Sequence, residues 1–234
     1  MLLFQLLQIN VGTSAVTTPE KAEAAKEMSL SLMDLAIKGG WIMIPIILLS
    51  IISIYILVER SIAIKNARKE DANFMNNIKE YILDGKIESA LTICKSQNTP
   101  LARMIEKGIR RLGRPLNDVN TAIENVGKIE VAKLEKGFAF LATSAGAAPM
   151  LGFLGTVTGM IRAFYNMASA GNNIDITLLS SGIYEAMVTT VAGLIVGIMA
   201  YLAYNYLVAR VEHIVNMLEA RTTEFMDLLN EPVK

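Results

Sequence analysis

Cysteine and histidine are almost absent from this 234-residue chain, which has one of each, Cys94 and His213. A single cysteine excludes an internal disulfide framework. One histidine, with no cysteine near it, leaves too few ligands for a His/Cys metal site. Charge is scarce as well: 19% of residues are charged, and 22 Lys plus Arg balance 22 Asp plus Glu. That balance points to no nucleic-acid partner. Gly-rich phosphate loops, paired catalytic carboxylates and Ser-His-Asp arrangements are missing, as are internal repeats and strand-like alternation of any length. The expectation is therefore a chain that is not an enzyme and needs no cofactor.

What is present is apolar length. The chain is 53% hydrophobic, above the roughly 45–50% of a soluble domain, and the excess lies in three blocks. Trp41–Val58 is 18 residues without a charge; Phe138–Ile161 and Ala186–Ala209 are 24 each. A membrane-crossing helix needs about 20 predominantly apolar residues, and these runs are too long and too unalternating for barrel strands. They predict three membrane spans rather than buried core helices of a soluble protein.

Basic residues set the orientation. Fifteen of the 22 Lys and Arg fall between Glu59 and Gly137, and Tyr165–Leu178 has none. By the positive-inside rule the long connection is cytoplasmic and the short one external. The N-terminus is then external and the C-terminus, with Arg210 and Arg221, cytoplasmic.

Outside the spans, Met1–Ile9 is apolar but lacks the cationic start of a signal peptide, since the first lysine is Lys21. It reads as a short amphipathic segment on the bilayer surface. Thr18-Pro19-Glu20 predicts a helix start, running to about Lys38 and stopping at Gly39-Gly40. In the cytoplasmic part, Asn73–Leu83 and Lys86–Lys95 read as short helices separated by Asp84-Gly85. Thr99-Pro100 opens another. A long helix begins after Asn117-Asp118, with Val119, Ile123, Val126, Glu130 and Leu134 near helical spacing, and is expected to run straight into the second span. The third span is expected to continue through Val211, Ile214, Val215, Leu218 and Phe225. Charges in this region read as solvated faces or subunit contacts, and Cys94 as a small core residue.

The membrane residues carry the functional signal. Gly155 and Gly159 form a small-xxx-small pair in the second span; Gly193 and Gly197 do so in the third. In lipid, close backbone contact through small residues drives helix association, so an oligomeric packing interface is expected. Small residues can also line a pore that holds another helix. Pro149 removes one backbone donor in mid-span, which allows a kink or is simply tolerated. Glu185 is the sharpest feature, the one charge between Ile176 and Ala209. An acid at such depth is costly and faces a polar interior or a partner. Thr189 lies one turn on, Thr190 is offset toward the Gly193–Gly197 side, and Thr156 and Thr158 add hydroxyls from the second span. Such a line reads as an ion path. Alternatively the hydroxyls satisfy themselves on carbonyls of the preceding turn, with Glu185 at headgroup level against Arg162.

Three segments then carry a resemblance. Ala147-Ala148-Pro149-Met150-Leu151-Gly152-Phe153-Leu154-Gly155-Thr156-Val157-Thr158-Gly159-Met160-Ile161, followed by Phe164, strongly resembles the second-span motif of the MotA/TolQ/ExbB proton-channel family. Gly182-Ile183-Tyr184-Glu185-Ala186-Met187-Val188-Thr189-Thr190-Val191-Ala192-Gly193-Leu194 resembles its third-span motif. Glu59-Arg60 resembles the pair that closes its first span. Three spans rather than four make the chain look like the ExbB and TolQ members, ExbB above all, and not like MotA. Gly197 stands where an alanine is frequent, and Met199 replaces a common proline.

The resemblance implies an all-α membrane protein forming a homo-oligomeric, pentameric ring around an ExbD-like single-span dimer in the pore. It implies a stator of the bacterial inner membrane that passes the work of the proton motive force to a TonB-like energy transducer, or, in a TolQ-like role, to the Tol-Pal system for outer-membrane integrity. The family's proton path maps onto Thr156, Thr190 and Glu185, with Thr189 beside them, and helix packing or pore shape onto Pro149, Gly152, Gly155, Gly159, Gly193 and Gly197. The expected organisation is a periplasmic amphipathic segment over 1–40, a first span over 41–58, a cytoplasmic helical domain over 59–137, a second span over 138–161, a short periplasmic connection over 162–177, a third span over 178–209 and a cytoplasmic C-terminal helix over 210–234. Protons are the transported ion, and the lipid bilayer is the medium.

Overall fold

The first apolar run forms one side of a three-helix membrane layer. The computed structural model describes residues 39–69, 73–169 and 176–230, and every regular element among them is a helix. The expected surface segment at Met1–Ile9 and the helix expected to end near Lys38 lie outside the described residues. Helix α1 spans Met43–Ala67, and its buried residues Met43, Ile46, Ser53, Arg60, Ile64 and Ala67 fall on one narrow stripe. Many of its other apolar side chains, among them Ile44, Leu48, Ile51 and Tyr55, are exposed. A helix that is apolar all round but packed along one stripe suits lipid on its remaining faces.

Four helices follow: α2 (Phe74–Leu83), α3 (Ile87–Ser96), α4 (Pro100–Ile109) and α5 (Leu116–Leu134). The local signals explain their limits. Gly85 takes φ +70° just beyond α2, a conformation open to glycine without a Cβ penalty. Thr99, with extended backbone, accepts the Ala102 N–H at 3.2 Å, and Pro100 occupies the first helical position. These helices close on the far half of the last helix, α7 (Ile176–Asn230). Phe74, Ile78, Cys94, Ile105, Ile123 and Phe225 are all buried in this core. Gly108 brings α4, α5 and α7 together: a methyl group there would stand 2.7 Å from Ile123 Cδ1 and 2.8 Å from Phe225 Cε1.

The second apolar run is α6 (Phe138–Ser169). It does not continue straight from α5, as the spacing of apolar residues predicts. The helix stops at Leu134, turns through Glu135–Gly137 with Gly137 at φ +89°, and restarts at Phe138. The turn has a partner on α1. The carbonyl oxygen of Lys133, one of the last four of α5 and so without a helical donor, accepts Arg60 Nη1 at 2.9 Å. Arg60 is buried and paired with its neighbour Glu59. At its other end α6 reaches Ser169, past Ile161 and into the stretch expected as a connection.

Helix α7 carries the third apolar run and extends unbroken to Asn230, as expected for the C-terminal extension. At about 1.5 Å per residue it is long enough to cross a bilayer and leave a rod of similar length outside. Among the described residues, three helical stretches are long and apolar enough to cross a membrane. The helix directions follow from contacts: Gly40 meets Glu185, and lower down Ser53 and Leu57 share a small cavity with Ala200 and Ala203. Helix α1 therefore runs parallel to α7. Helix α6 runs antiparallel to both, with Phe138 against Tyr204 and Ala163 against Gly182.

The charges of the helical domain are not all solvated. Glu130 on α5 is 3% exposed and accepts Arg103 Nη2 of α4 at 2.6 Å and Lys133 Nζ at 2.6 Å. Burial by itself would raise its pKa, but the two cations outweigh it and hold the carboxyl below its ordinary value. Cys94 is a core residue, and burial pushes its thiol up to about 12.

Candidate functional site

Glycines bring α6 and α7 together. A methyl group on Gly193 would stand 2.5 Å from the Ala148 carbonyl oxygen and 2.9 Å from Gly152 Cα. One on Gly152 would stand 2.9 Å from the Thr189 carbonyl oxygen. Gly159 faces Ala186 and Gly182, and Gly155 receives the side chain of Thr189. Gly197 faces the Pro149 ring, 2.5 Å from where its Cβ would be, and the Ala145 carbonyl oxygen. Helix α6 continues through Pro149, and the carbonyl that the proline leaves without a donor is Ala145. Five of the six residues of the packing set are glycines, and they are pressed against the neighbouring helix of the same chain. The physical reason is economy of distance. The small faces of two antiparallel neighbours meet first, at an effective concentration no separate copy matches.

The hydroxyls sit inside this contact. Thr156 of α6 and Thr190 of α7 are hydrogen-bonded to each other across the helix pair. Thr190 Oγ1 also lies 3.0 Å from the Gly152 carbonyl oxygen, and Thr156 Oγ1 lies 3.3 Å from that of Ala186. Both side chains are half-buried. Two hydroxyls and two main-chain carbonyls from opposite helices thus form one polar cluster in an otherwise apolar contact. Each helical carbonyl has a second lone pair available beyond its own ladder bond, so the cluster adds no unpaired acceptor.

The other candidates fall around this cluster. Thr189 is buried and donates to the Ala186 carbonyl at 2.8 Å; its methyl and hydroxyl fill the space over Gly155 and do not reach Thr156. Thr158 donates to Leu154 of its own helix at 2.9 Å, which takes it out of the line. Glu185, five residues before Thr190, is roughly 7.5 Å farther along α7. Arg162 Nη1 of α6 lies 3.3 Å from Glu185 Oε1, with side-chain exposures of 53% and 25%. The pairing with Arg162 left open by the sequence is therefore present. The structure brings Thr156, Thr190 and the Ala186 and Gly152 carbonyls into one cluster and leaves Glu185 in a second, with Arg162.

Sequence reading missed one partner of Glu185. Gly40, at φ +67°, lies directly under its carboxylate, where any side chain would collide. The Gly39-Gly40 pair signals only a helix stop. Its second role depends on α1 lying beside α7, which local pattern does not encode. The carbonyl acceptors Gly152 and Ala186 were equally invisible, since every residue has one.

Known proteins resemble this chain over the same helices. Residues 96–220 match the profile of the MotA/TolQ/ExbB proton channel family, a stretch from the end of α3 to most of α7. The putative biopolymer transport protein ExbB-like 1 of Synechocystis sp. is 29% identical over 76% of this chain and 71% of its own length. The Tol-Pal system protein TolQ of Haemophilus influenzae is 30% identical over 85% of this chain and 91% of its own. The biopolymer transport protein ExbB of Neisseria meningitidis is 27% identical over 71% and 80%. With three helices among the described residues long and apolar enough to cross a membrane and more than half of its length matching the family profile, the chain belongs to the MotA/TolQ/ExbB proton channel family.

Proposed function

We propose that this chain is the proton-conducting stator subunit of a motor in the bacterial inner membrane. Five copies form a ring around the membrane helices of an ExbD-like dimer. The N-terminus is periplasmic and the helical domain and C-terminus are cytoplasmic. The ring uses the proton motive force, through a TonB-like transducer, to energise outer-membrane transport.

The observation that carries this reading is the Thr156–Thr190 pair, two hydroxyls bridging α6 and α7 inside an apolar, glycine-closed contact. Hydroxyls donate and accept at once, so such a pair can relay a proton to an acid on a partner helix. Glu185 stands nearer the membrane end of the same helix pair, where it takes protons from the external side. Exposed Phe153, Val157, Val191 and Leu194 leave apolar faces beside the cluster for further copies and for the partner. The drive is sufficient in scale: one charge crossing about 100 mV releases about 2.3 kcal/mol. No cofactor takes part; the proton is the transported ion.

A second reading is supported by the TolQ relative, which is matched over nearly its whole length. In that case the same ring serves the Tol-Pal system. Native mass spectrometry of the complex extracted from its own membranes tests both. Five copies with a one-span protein that carries a membrane aspartate support the motor, and that protein's identity separates the two systems. A ring without any partner at native expression would overturn the stator role.

A further inference from the structure

A basic cleft sits where the membrane helices enter the helical domain. It has a volume of about 420 Å³ and lies between the C-terminal turns of α1 and the middle of α7. Its polar lining is Ser61, Lys65 and Arg68 from α1 and Tyr206, Arg210 and His213 from α7; none of its lining residues is acidic. Lys65 and Arg68 are at a helix C-terminus, where cations complement the dipole. Arg210 and His213 have no such reason, because α7 runs on to Asn230. Arg210 is held in place by Tyr206: Nη2 donates to the phenol oxygen at 2.8 Å, and the guanidinium lies 5.1 Å from the ring centre.

The depth of the cleft identifies its ligand. The uncharged runs end at Val58 and Ala209, so Ser61 and Arg210 stand at the edge of the hydrocarbon layer and Lys65 and Arg68 roughly two and three turns beyond Val58. Tyr206 is placed as an interfacial aromatic. One turn toward the membrane centre, Val58 and Leu202 continue the same helix faces as exposed apolar surface. We infer that the cleft binds the phosphate headgroup of an anionic phospholipid from the leaflet on the domain side, with the acyl chains against Val58 and Leu202. Three cations, one of them an arginine held by Tyr206, suit a phosphodiester, and a free phosphate would leave that apolar surface unused. Bound there, the lipid ties α1 to α7 at the base of the domain. The inference does not depend on proton conduction.

The full-length chain in phosphatidylcholine nanodiscs doped with phosphatidylglycerol provides the test, read as the lipids that native mass spectrometry finds retained after the disc is released. The wild type is expected to retain phosphatidylglycerol at least about tenfold above its bulk share. The Lys65→Gln, Arg68→Gln, Arg210→Gln triple variant is expected to lose that enrichment, while Arg68→Lys with Arg210→Lys keeps most of it. A control triple variant with the same charge loss off the cleft, Lys69→Gln, Lys79→Gln, Lys107→Gln, is expected to retain the lipid. Inorganic phosphate in excess should not displace it. Equal retention by the cleft triple variant, equal loss in the control, or displacement by phosphate alone would overturn the proposal. So would a cross-link between two copies through the cleft with no lipid retained, which would give the cleft to a second copy. All charges altered are on exposed side chains, and unchanged melting temperatures establish that the variants fold.

Discussion

Arg60 closes the end of α5 from a different helix: its Nη1 donates to the main-chain carbonyl of Lys133 at 2.9 Å. The last membrane turns of α1 are thereby fastened to the turn that redirects the chain into α6. Replacing Arg60 with Met keeps much of the buried volume but leaves the carbonyl without its charged donor. The expected cost is about 2 kcal/mol, in the range of hydrogen bonds to charged groups. Thermal unfolding of the full chain in detergent measures it, and a variant as stable as the wild type would show that the contact is dispensable.

Glu130 makes stability depend on acid. Its pKa is held below the ordinary carboxylate value in the fold, so its contribution is complete above the unfolded-state value and is lost as pH falls through the folded one. Glu130→Gln is expected to flatten the stability curve between about pH 5 and pH 2. At neutral pH it should cost about 1–2 kcal/mol, less than a fully buried pair because Arg103 is 35% exposed. Melting temperature against pH for both proteins reads the difference.

Two glycines of the second and third spans should respond oppositely to the same substitution. Gly193→Ala places a methyl group against the backbone of α6 and should destabilise by about 1–3 kcal/mol. Gly146→Ala meets no atom within 4 Å and should be neutral or stabilising by up to about 1 kcal/mol, from helix propensity alone. The pair is compared by melting in detergent; equal effects would show that the helix contact adapts.

The hydroxyl pair can be separated from packing. Thr156→Val and Thr190→Val preserve shape, so assembly should persist while the proposed proton-driven outer-membrane uptake falls about tenfold, the equivalent of one lost hydrogen bond. Thr158→Val should have no effect, because that hydroxyl serves its own helix. Glu185→Gln tests charge separately: its exposed ion pair with Arg162 adds at most about 1 kcal/mol to stability, yet uptake should fall. Full uptake in all three active-path variants would remove the path.

Cys94 should be inert. With its thiol pushed up to about 12 and its side chain buried, almost no thiolate exists at pH 8. Maleimide labelling of the folded chain should be slower than that of the denatured chain by a factor of about 100 or more. Rapid labelling in the folded state would mean that α3 opens easily.

Much of this protein is legible in one dimension. Uncharged length determines three spans, because a bilayer admits backbone only as hydrogen-bonded helix or closed barrel. Short-range chemistry at Asp84-Gly85 and Thr99-Pro100 determines where the domain helices break. The motif around Thr156 and the one around Glu185 are likewise contiguous, so the polar residues of the site can be named from sequence. Tertiary structure decided which of them meet. Thr190, not the neighbouring Thr189, faces Thr156, because the Gly152–Gly193 contact fixes the rotation of α7 against α6. Glu130 looks like any charge on a helix, and only the approach of α4 buries it with Arg103. Gly40 and Glu185 are 145 positions apart and touch because α1 lies parallel to α7. Local pattern sets what each helix is; the rotation and neighbours of a packed helix depend on every contact along it at once, and those exist only in the folded chain.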